Sequence, residues 1–208
     1  MSVPFIIHAL PRSRTSWLSM FLSYGSWTCH HEKLMFMRSM ADVRGLFSAS
    51  NTGSAETASS YGRCLLKWMF PNIKEVVILR PVEDVMASLI AVSDRDAFTF
   101  DVPRLRKIME RGHRCLLKIA KDQNVLVVNY ADLDKEETCA RIFEFCLPYK
   151  FDKAWWESYN NKNIQLNFPL LIAYRQQNKI EIDGFKSLCK RELLRLVRVG
   201  EISLSGVI

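Results

Sequence analysis

The sequence predicts an α/β fold, with a central parallel sheet of about four strands and helices on both faces. Three observations carry this. Apolar, β-branched runs recur, above all "EVVILR" at 75–80 and "NVLVVNY" at 124–130, and runs without polar alternation are those of strands buried on both faces. A helical pattern follows each run; "PVEDVMASLIAV" at 81–92 opens with proline and two acids, as helices do. The chain has 208 residues, 49% of them hydrophobic and 25% charged, enough for one domain with a full core.

Taken in order, residues 3–9 ("VPFIIHA") read as the first strand. A helix follows over 15–24, with Trp17, Leu18, Phe21 and Leu22 on one side. "SWTCH" (26–30) reads as a short second strand, 33–47 as helical, and "SASNTGSAET" (48–57) as a flexible polar loop. A helix lies within 55–70, closed by Pro71. The third strand (75–80) leads into the helix at 81–92, and a long amphipathic helix covers 101–122. The fourth strand (124–130) is followed by a helix over 133–147. The single domain 1–208 thus divides into a core of 1–150 and a C-terminal helical segment, 151–208. That segment holds a Trp-rich stretch, an Asn-rich piece and basic helices to about residue 199.

The net charge of +7 and pI of about 9.2 suit a polyanionic ligand, a nucleic acid or an anionic surface equally. The densest basic cluster, "KRELLRLVR" at 190–198, reads as the solvated face of a terminal helix, so no nucleic-acid partner is expected. Six cysteines form no CxxC pair and no Cys/His cluster with zinc spacing. No signal peptide and no apolar run of membrane-spanning length is evident. A cytoplasmic protein without a membrane partner or a bound metal is expected.

Ligands of parallel sheets bind beyond the carboxyl ends of the strands, which singles out Pro11–Ser16, His30–Lys33, Arg80–Ser88 and Tyr130–Leu133. The first of these, "PRSRTSW", combines two arginines, three hydroxyls and a helix start. Free N–H groups at a helix start bind phosphate or sulfate, and arginine can add a bidentate contact. A Walker A loop is excluded, because no glycine lies between Ser2 and Tyr24. The third strand end places Arg80 at a strand tip and Ser88 about one turn into the next helix, able to grip one phosphate from two sides.

Together these segments resemble the PAPS-dependent sulfotransferases. "PRSRTSWL" is similar to their 5′-phosphosulfate-binding loop. "RPVEDVMAS" is similar to their 3′-phosphate motif, with the arginine and serine eight apart. "VLVVNYADLDKEETCARIFEFCL" (125–147) resembles the strand and following helix of the same family. The resemblance spans residues 5–147 and implies a three-layer, P-loop-NTPase-like fold. It implies transfer of a sulfuryl group from PAPS to a hydroxyl or amine, releasing PAP. Arg12 would meet the 5′-phosphate and bridging oxygen. Ser13, Arg14, Thr15 and Ser16 would line the same loop, Trp17 would stack near adenine, and Arg80 and Ser88 would hold the 3′-phosphate. Sulfuryl transfer passes through a loose in-line transition state, so the protein mainly positions groups and neutralises charge.

Two departures stand out. Arg14 occupies a position where many members have glycine; either the loop is shaped differently or the extra arginine adds an anion contact. The family's C-terminal glycine-rich motif has only "IDGFKS" (182–187) as a weak counterpart.

The acceptor's proton needs a base within hydrogen-bond reach. Successive strand residues face opposite ways, so one of His30 and His31 enters the cleft. A glutamate just after the second strand serves as base in several bacterial sulfotransferases, which makes Glu32 the first candidate; His31 is the second, as base or as partner to Glu32. His8 and Lys67 read as structural. A catalytically inactive PAP- or nucleotide-binding module on the same fold is the alternative reading. An ATP-dependent phosphotransferase is disfavoured by the missing Walker lysine. The acceptor is expected to be a small molecule or carbohydrate, met by loops at 48–57, 93–102 and 160–169.

Overall fold

A computed structural model describes residues 2–96, 99–164, 177 and 184–201. The sheet has five parallel strands: β1 (Phe5–His8), β2 (Thr28–His31), β3 (Thr52–Glu56), β4 (Lys74–Leu79) and β5 (Val125–Asn129). Their order is β2-β3-β1-β4-β5. The helices are α1 (Thr15–Phe21), α2 (Met40–Ser48), α3 (Arg63–Met69), α4 (Val82–Arg95), α5 (Val102–Ile119), α6 (Glu136–Cys146), α7 (Lys153–Asn160) and α8 (Gly184–Arg198).

The strands split their side chains between two helical layers. Phe5, Ile7, Val76 and Ile78 pack on α1, α6 and α7 through Trp17, Phe21, Phe143 and Trp156. On the opposite face, Ile6 meets α2, α3 and α8 through Phe47, Leu66 and Phe185. Val77 meets α4 and α5 on that same face through Met86 and Leu116. This is the three-layer α/β arrangement that the strand–helix alternation predicts.

One expectation is overturned. The polar stretch at 48–57 is not a flexible loop; it ends α2 and then forms β3, inserted between β1 and β2. The sheet therefore has five strands, not about four. All five residues of β3 are buried, and Gly53, Ser54 and Glu56 show why these residue types are there. Gly53 lies opposite Phe5 in the register, where a β-carbon would sit 2.2 Å from the Phe5 ring. Ser54 donates its hydroxyl to Glu56. The Leu34 N–H donates to the same Glu56 oxygen at 3.0 Å. Glycine, serine, alanine and glutamate are poor strand formers, so backbone pairing and side-chain satisfaction hold this strand rather than propensity.

The helix starts follow local chemistry. Ser39 and Asp42 form a reciprocal capping box at α2. Asp101 caps α5 through the Arg104 N–H at 3.0 Å, with Pro103 in the first turn, where no N–H is missed. Beneath the sheet's carboxyl end, fully buried His8 bridges Ser59 (2.7 Å) and Glu75 (3.1 Å). Arg63 clamps Glu75 at 2.8 Å through both oxygens. Burial pushes the Glu75 carboxyl up, but the hydrogen bonds from His8 and Arg63 outweigh it and hold it at about 2. His8 thus has the structural place that its strand position suggests. Lys67 also has one, donating to the Pro71 carbonyl at 2.9 Å.

Candidate active site

In this strand order the chain leaves β1 toward β2 and leaves β4 toward β5, in opposite directions. The crevice between the ends of β1 and β4 is therefore the switch point where such sheets bind ligands. Residues 11–14 and 80–81 flank it. Arg12 donates from Nε to the Ser88 hydroxyl at 3.0 Å. Arg80 donates from Nη1 to the Arg12 carbonyl, and its guanidinium lies 4.0 Å over the Tyr130 ring. Arg12, Arg80 and Ser88, predicted from two segments far apart in the chain, converge here.

Two polar atoms in the crevice are left unsatisfied. Ser13 is fully buried and its hydroxyl has no hydrogen-bond partner among the described residues, and Arg80 Nε is likewise buried and unpaired among them. Buried donors without partners are costly, and an anion's oxygens would satisfy both. Positive charge is dense here: burial, then Arg95, then Arg80, lower the Arg12 pKa, with Tyr130 and Asp96 opposing. Arg95 was not anticipated from sequence. It lies two helical turns after Ser88 on α4, and that spacing was the available signal.

The backbone of the loop is strained. Arg12 (φ 64°) and Arg14 (φ 60°) are both left-handed, as is Glu32 (φ 52°). Among the described residues these are three of the four non-glycine residues with positive φ, Asn51 being the fourth. Each costs on the order of 1 kcal/mol or more, and such strain collects where function demands a geometry.

Two site expectations are corrected. Arg14 keeps the left-handed conformation but sends its guanidinium away from the crevice. It donates to the carbonyls of Leu133 (2.9 Å) and Asn160 (3.4 Å) and lies 4.3 Å over the Trp17 ring. The carbonyl-rich end of α7 attracts this cation more directly than an open cleft does. Trp17 is not placed to stack on adenine. It is 1% exposed, packs on Phe21 at 4.8 Å, and donates from Nε1 to the Tyr159 carbonyl at 2.9 Å. Both side chains anchor α7 behind the loop.

A second group gathers at the ends of β2 and β3. His31 Nε2 lies 3.1 Å from the Thr15 hydroxyl, 3.2 Å from that of Ser16, and 3.8 Å from Glu32 Oε1. Thr15 and Ser16 therefore connect the arginine loop to the candidate bases. Burial lowers His31 to about 4, so it is neutral at pH 7. Burial raises Glu32 to about 7, against hydrogen bonds from Thr57 that pull it down. Its two oxygens accept from the Thr57 N–H at 3.1 and 3.2 Å. Glu56, missed because β3 was missed, is pushed well up by burial and by the Glu32 charge.

His30 faces the other way, as strand alternation requires. It lines a cavity of about 410 Å³ together with Lys33, Phe36, Met37, Gly45 and Leu46. Of the expected acceptor loops, 97–98 and 165–169 lie outside the described residues, as does 182–183 of "IDGFKS". No described group of three or more His, Cys, Asp or Glu is arranged to hold a metal ion. No described helix is long and apolar enough to cross a membrane.

No protein-family model and no curated protein matches the chain by sequence. Solved structures do match in shape. The sulfotransferase domain from the Synechococcus PCC 7002 olefin synthase superposes with a TM-score of 0.57 at 14% identity, over 91% of this chain and 94% of that one. The fold is sulfotransferase-like. The sulfotransferase domain from the curacin biosynthetic pathway gives 0.55 at 10% identity, covering 91% and 97%. The sulfotransferase from Alicyclobacillus acidocaldarius gives 0.53 at 13%, covering 91% and 96%. The sulfotransferase-like sheet thus places the β1/β4 crevice and the β2/β3 carboxylates side by side at one end of the molecule.

Proposed function

We propose that this protein is a sulfotransferase that moves a sulfuryl group from PAPS to a hydroxyl or amine of a small-molecule or carbohydrate acceptor and releases PAP. The observation that carries the proposal is the convergence of Arg12, Arg80 and Ser88 around two unsatisfied buried donors, Ser13 Oγ and Arg80 Nε. Two phosphate groups on one nucleotide need two anion contacts, and the crevice has arginines on both of its walls.

In this mechanism Arg80 and Ser88 hold the 3′-phosphate. Arg12 and the hydroxyls of Ser13, Thr15 and Ser16 hold the 5′-phosphosulfate. Glu32, ionised, accepts the acceptor's proton as the acceptor oxygen or nitrogen bonds to sulfur. The bond from sulfur to the bridging oxygen breaks, and Arg12 stabilises the charge that appears on the departing PAP. A carboxylate with a pKa of about 7 is matched to this work at neutral pH. His31, neutral and bonded to the loop hydroxyls, positions Glu32 against the loop. Arg14 and Trp17 act from behind by fixing α7.

One observation favours the alternative of a nucleotide-binding module without turnover: Glu32 is only 6% exposed, with both oxygens on Thr57. Calorimetric titration with PAP, ATP and ADP tests the nucleotide assignment. Tight PAP binding, weak ATP binding and a large loss in Arg80→Ala are expected; equal affinity for ATP and PAP would sink it. Radiolabelled PAPS with a panel of acceptors then separates enzyme from module, with Glu32→Gln as control.

A further inference from the structure

The chain's positive charge is not where its candidate chemistry is. Residues 102–121 hold seven basic residues and a single acid, Glu110, so this segment alone accounts for six of the seven net charges. Six of the basic residues form one stripe. Arg104, Lys107, Arg111, Arg114 and Lys118 lie on α5, and Lys121 lies in the turn that follows. Their spacing alternates three and four residues, which keeps them on one helical face. That face is opposite the buried one of Met109, Gly112, Leu116 and Ile119. All six are exposed, and none forms an ion pair with a described residue. Arg111 approaches the Tyr61 ring at 6.0 Å, and Lys186 of α8 approaches the same ring at 5.3 Å, which widens the stripe at its middle.

Like charges three and four apart repel and weaken the helix that carries them. Glu110, three residues after Lys107 and four before Arg114, offsets that repulsion only in part, and the stripe keeps an excess of positive charge that complements an acidic partner. We propose that this stripe docks an acidic α-helix of a partner protein. A helix laid along α5 can match the stripe with its own carboxylates. Arg104, Arg111 and Lys118 repeat every seven residues, as do Lys107, Arg114 and Lys121. Carboxylates on another helix carry the same repeat, the charge-pairing rule of packed helices. The stripe runs the length of α5, 18 residues or about 27 Å. Ile108 and Leu117, 42% and 43% exposed, flank its two edges and offer apolar contact beside the charges. A membrane would need an apolar helix face turned outward, and that face of α5 is in the core.

Fluorescence anisotropy at near-physiological salt tests the proposal with four probes. They are a helix-stabilised peptide with glutamate repeating at heptad spacing, a scrambled peptide of the same composition, a DNA duplex, and vesicles containing phosphatidylserine. The helical peptide is expected to bind at least about tenfold tighter than the scrambled one. Arg111→Glu with Arg114→Glu should lose that binding while keeping the wild-type far-UV circular dichroism, because both side chains are exposed. Lys107→Gln with Lys118→Gln removes charge without reversing it and should weaken binding by a smaller factor. Equal binding of the two peptides, tighter binding of the duplex or vesicles, no binding to any probe, or unchanged affinity in the glutamine variant would overturn the assignment.

Discussion

The ends of β1 and β4 and the ends of β2 and β3 belong to the same sheet, yet their chemistry is opposite. At the first pair, burial and then the neighbouring charges of Arg95 and Arg80 lower the Arg12 pKa. At the second, two glutamates are buried so deeply that their carboxyl pKa values rise. In the proposed mechanism the first pair holds the nucleotide's anionic groups and the second takes up the acceptor's proton. His31, bonded to Thr15 and Ser16 on one side and 3.8 Å from Glu32 on the other, is the link. The difference shows how one parallel sheet keeps a cationic and an acidic region apart without a second domain: adjacent strand ends are about 5 Å apart, but each loop sets its own electrostatic surroundings.

Glu32→Gln breaks the comparison most severely. It keeps the side chain's shape and removes the base, so turnover should fall by about 10²- to 10⁴-fold with PAP affinity nearly unchanged. A parallel loss of PAP affinity in calorimetry would mean that the two regions are not separable. Arg80→Ala should do the reverse, weakening PAP binding by about 10- to 100-fold through loss of charge-assisted hydrogen bonds. Glu32 titration in that variant, followed by pH–rate profiles, should stay where it is.

The pH dependence sharpens the contrast. With Glu32 ionising at about 7, turnover should rise as pH passes through that value. Its folded pKa lies above the ordinary 4.5, so its contribution to stability is full below about 4.5 and is lost as pH rises to about 7. Activity and stability should therefore move in opposite directions over that span in denaturant titrations. Glu75 behaves the other way. Held at about 2, it stabilises the fold above the ordinary carboxyl range, and that stabilisation disappears as pH falls through about 2.

Two glycines give the smaller effects. Gly53→Ala drives a β-carbon into the Phe5 ring and should cost about 1–3 kcal/mol in urea unfolding. Because Gly53 holds β3 against β1, the β2/β3 region should lose turnover before the β1/β4 crevice loses PAP binding. Gly45→Ala on α2 meets nothing within 4 Å and should stabilise by about 0.5–1 kcal/mol. If it also lowers the affinity for an acceptor, the adjoining cavity takes part in recognition.

The arginine-lined crevice is legible in the sequence, because arginine, hydroxyls and a helix start form a local pattern. Arg12 and Arg80–Ser88 could be named from short segments. Arg14 and Trp17 were misplaced for a physical reason: a motif specifies a backbone path, but a long side chain goes where its partners are. Those partners are carbonyls far along the chain, of Leu133 and Asn160 for Arg14 and of Tyr159 for Trp17. Glu56 and Thr57 were illegible because Thr52 is the one strand-forming residue of β3 and cannot announce it alone.

The sequence by itself determined the alternation of strands and helices, the parallel sheet and the residues gathered at its first and third predicted strand ends. Local periodicity and capping chemistry are enough for that. Only the tertiary structure decided that a polar stretch becomes a buried strand, that Arg14 and Trp17 turn inward, and that Glu32 is raised to about 7. Those outcomes depend on burial and on partners distant in the chain, and neither is a property of a short segment.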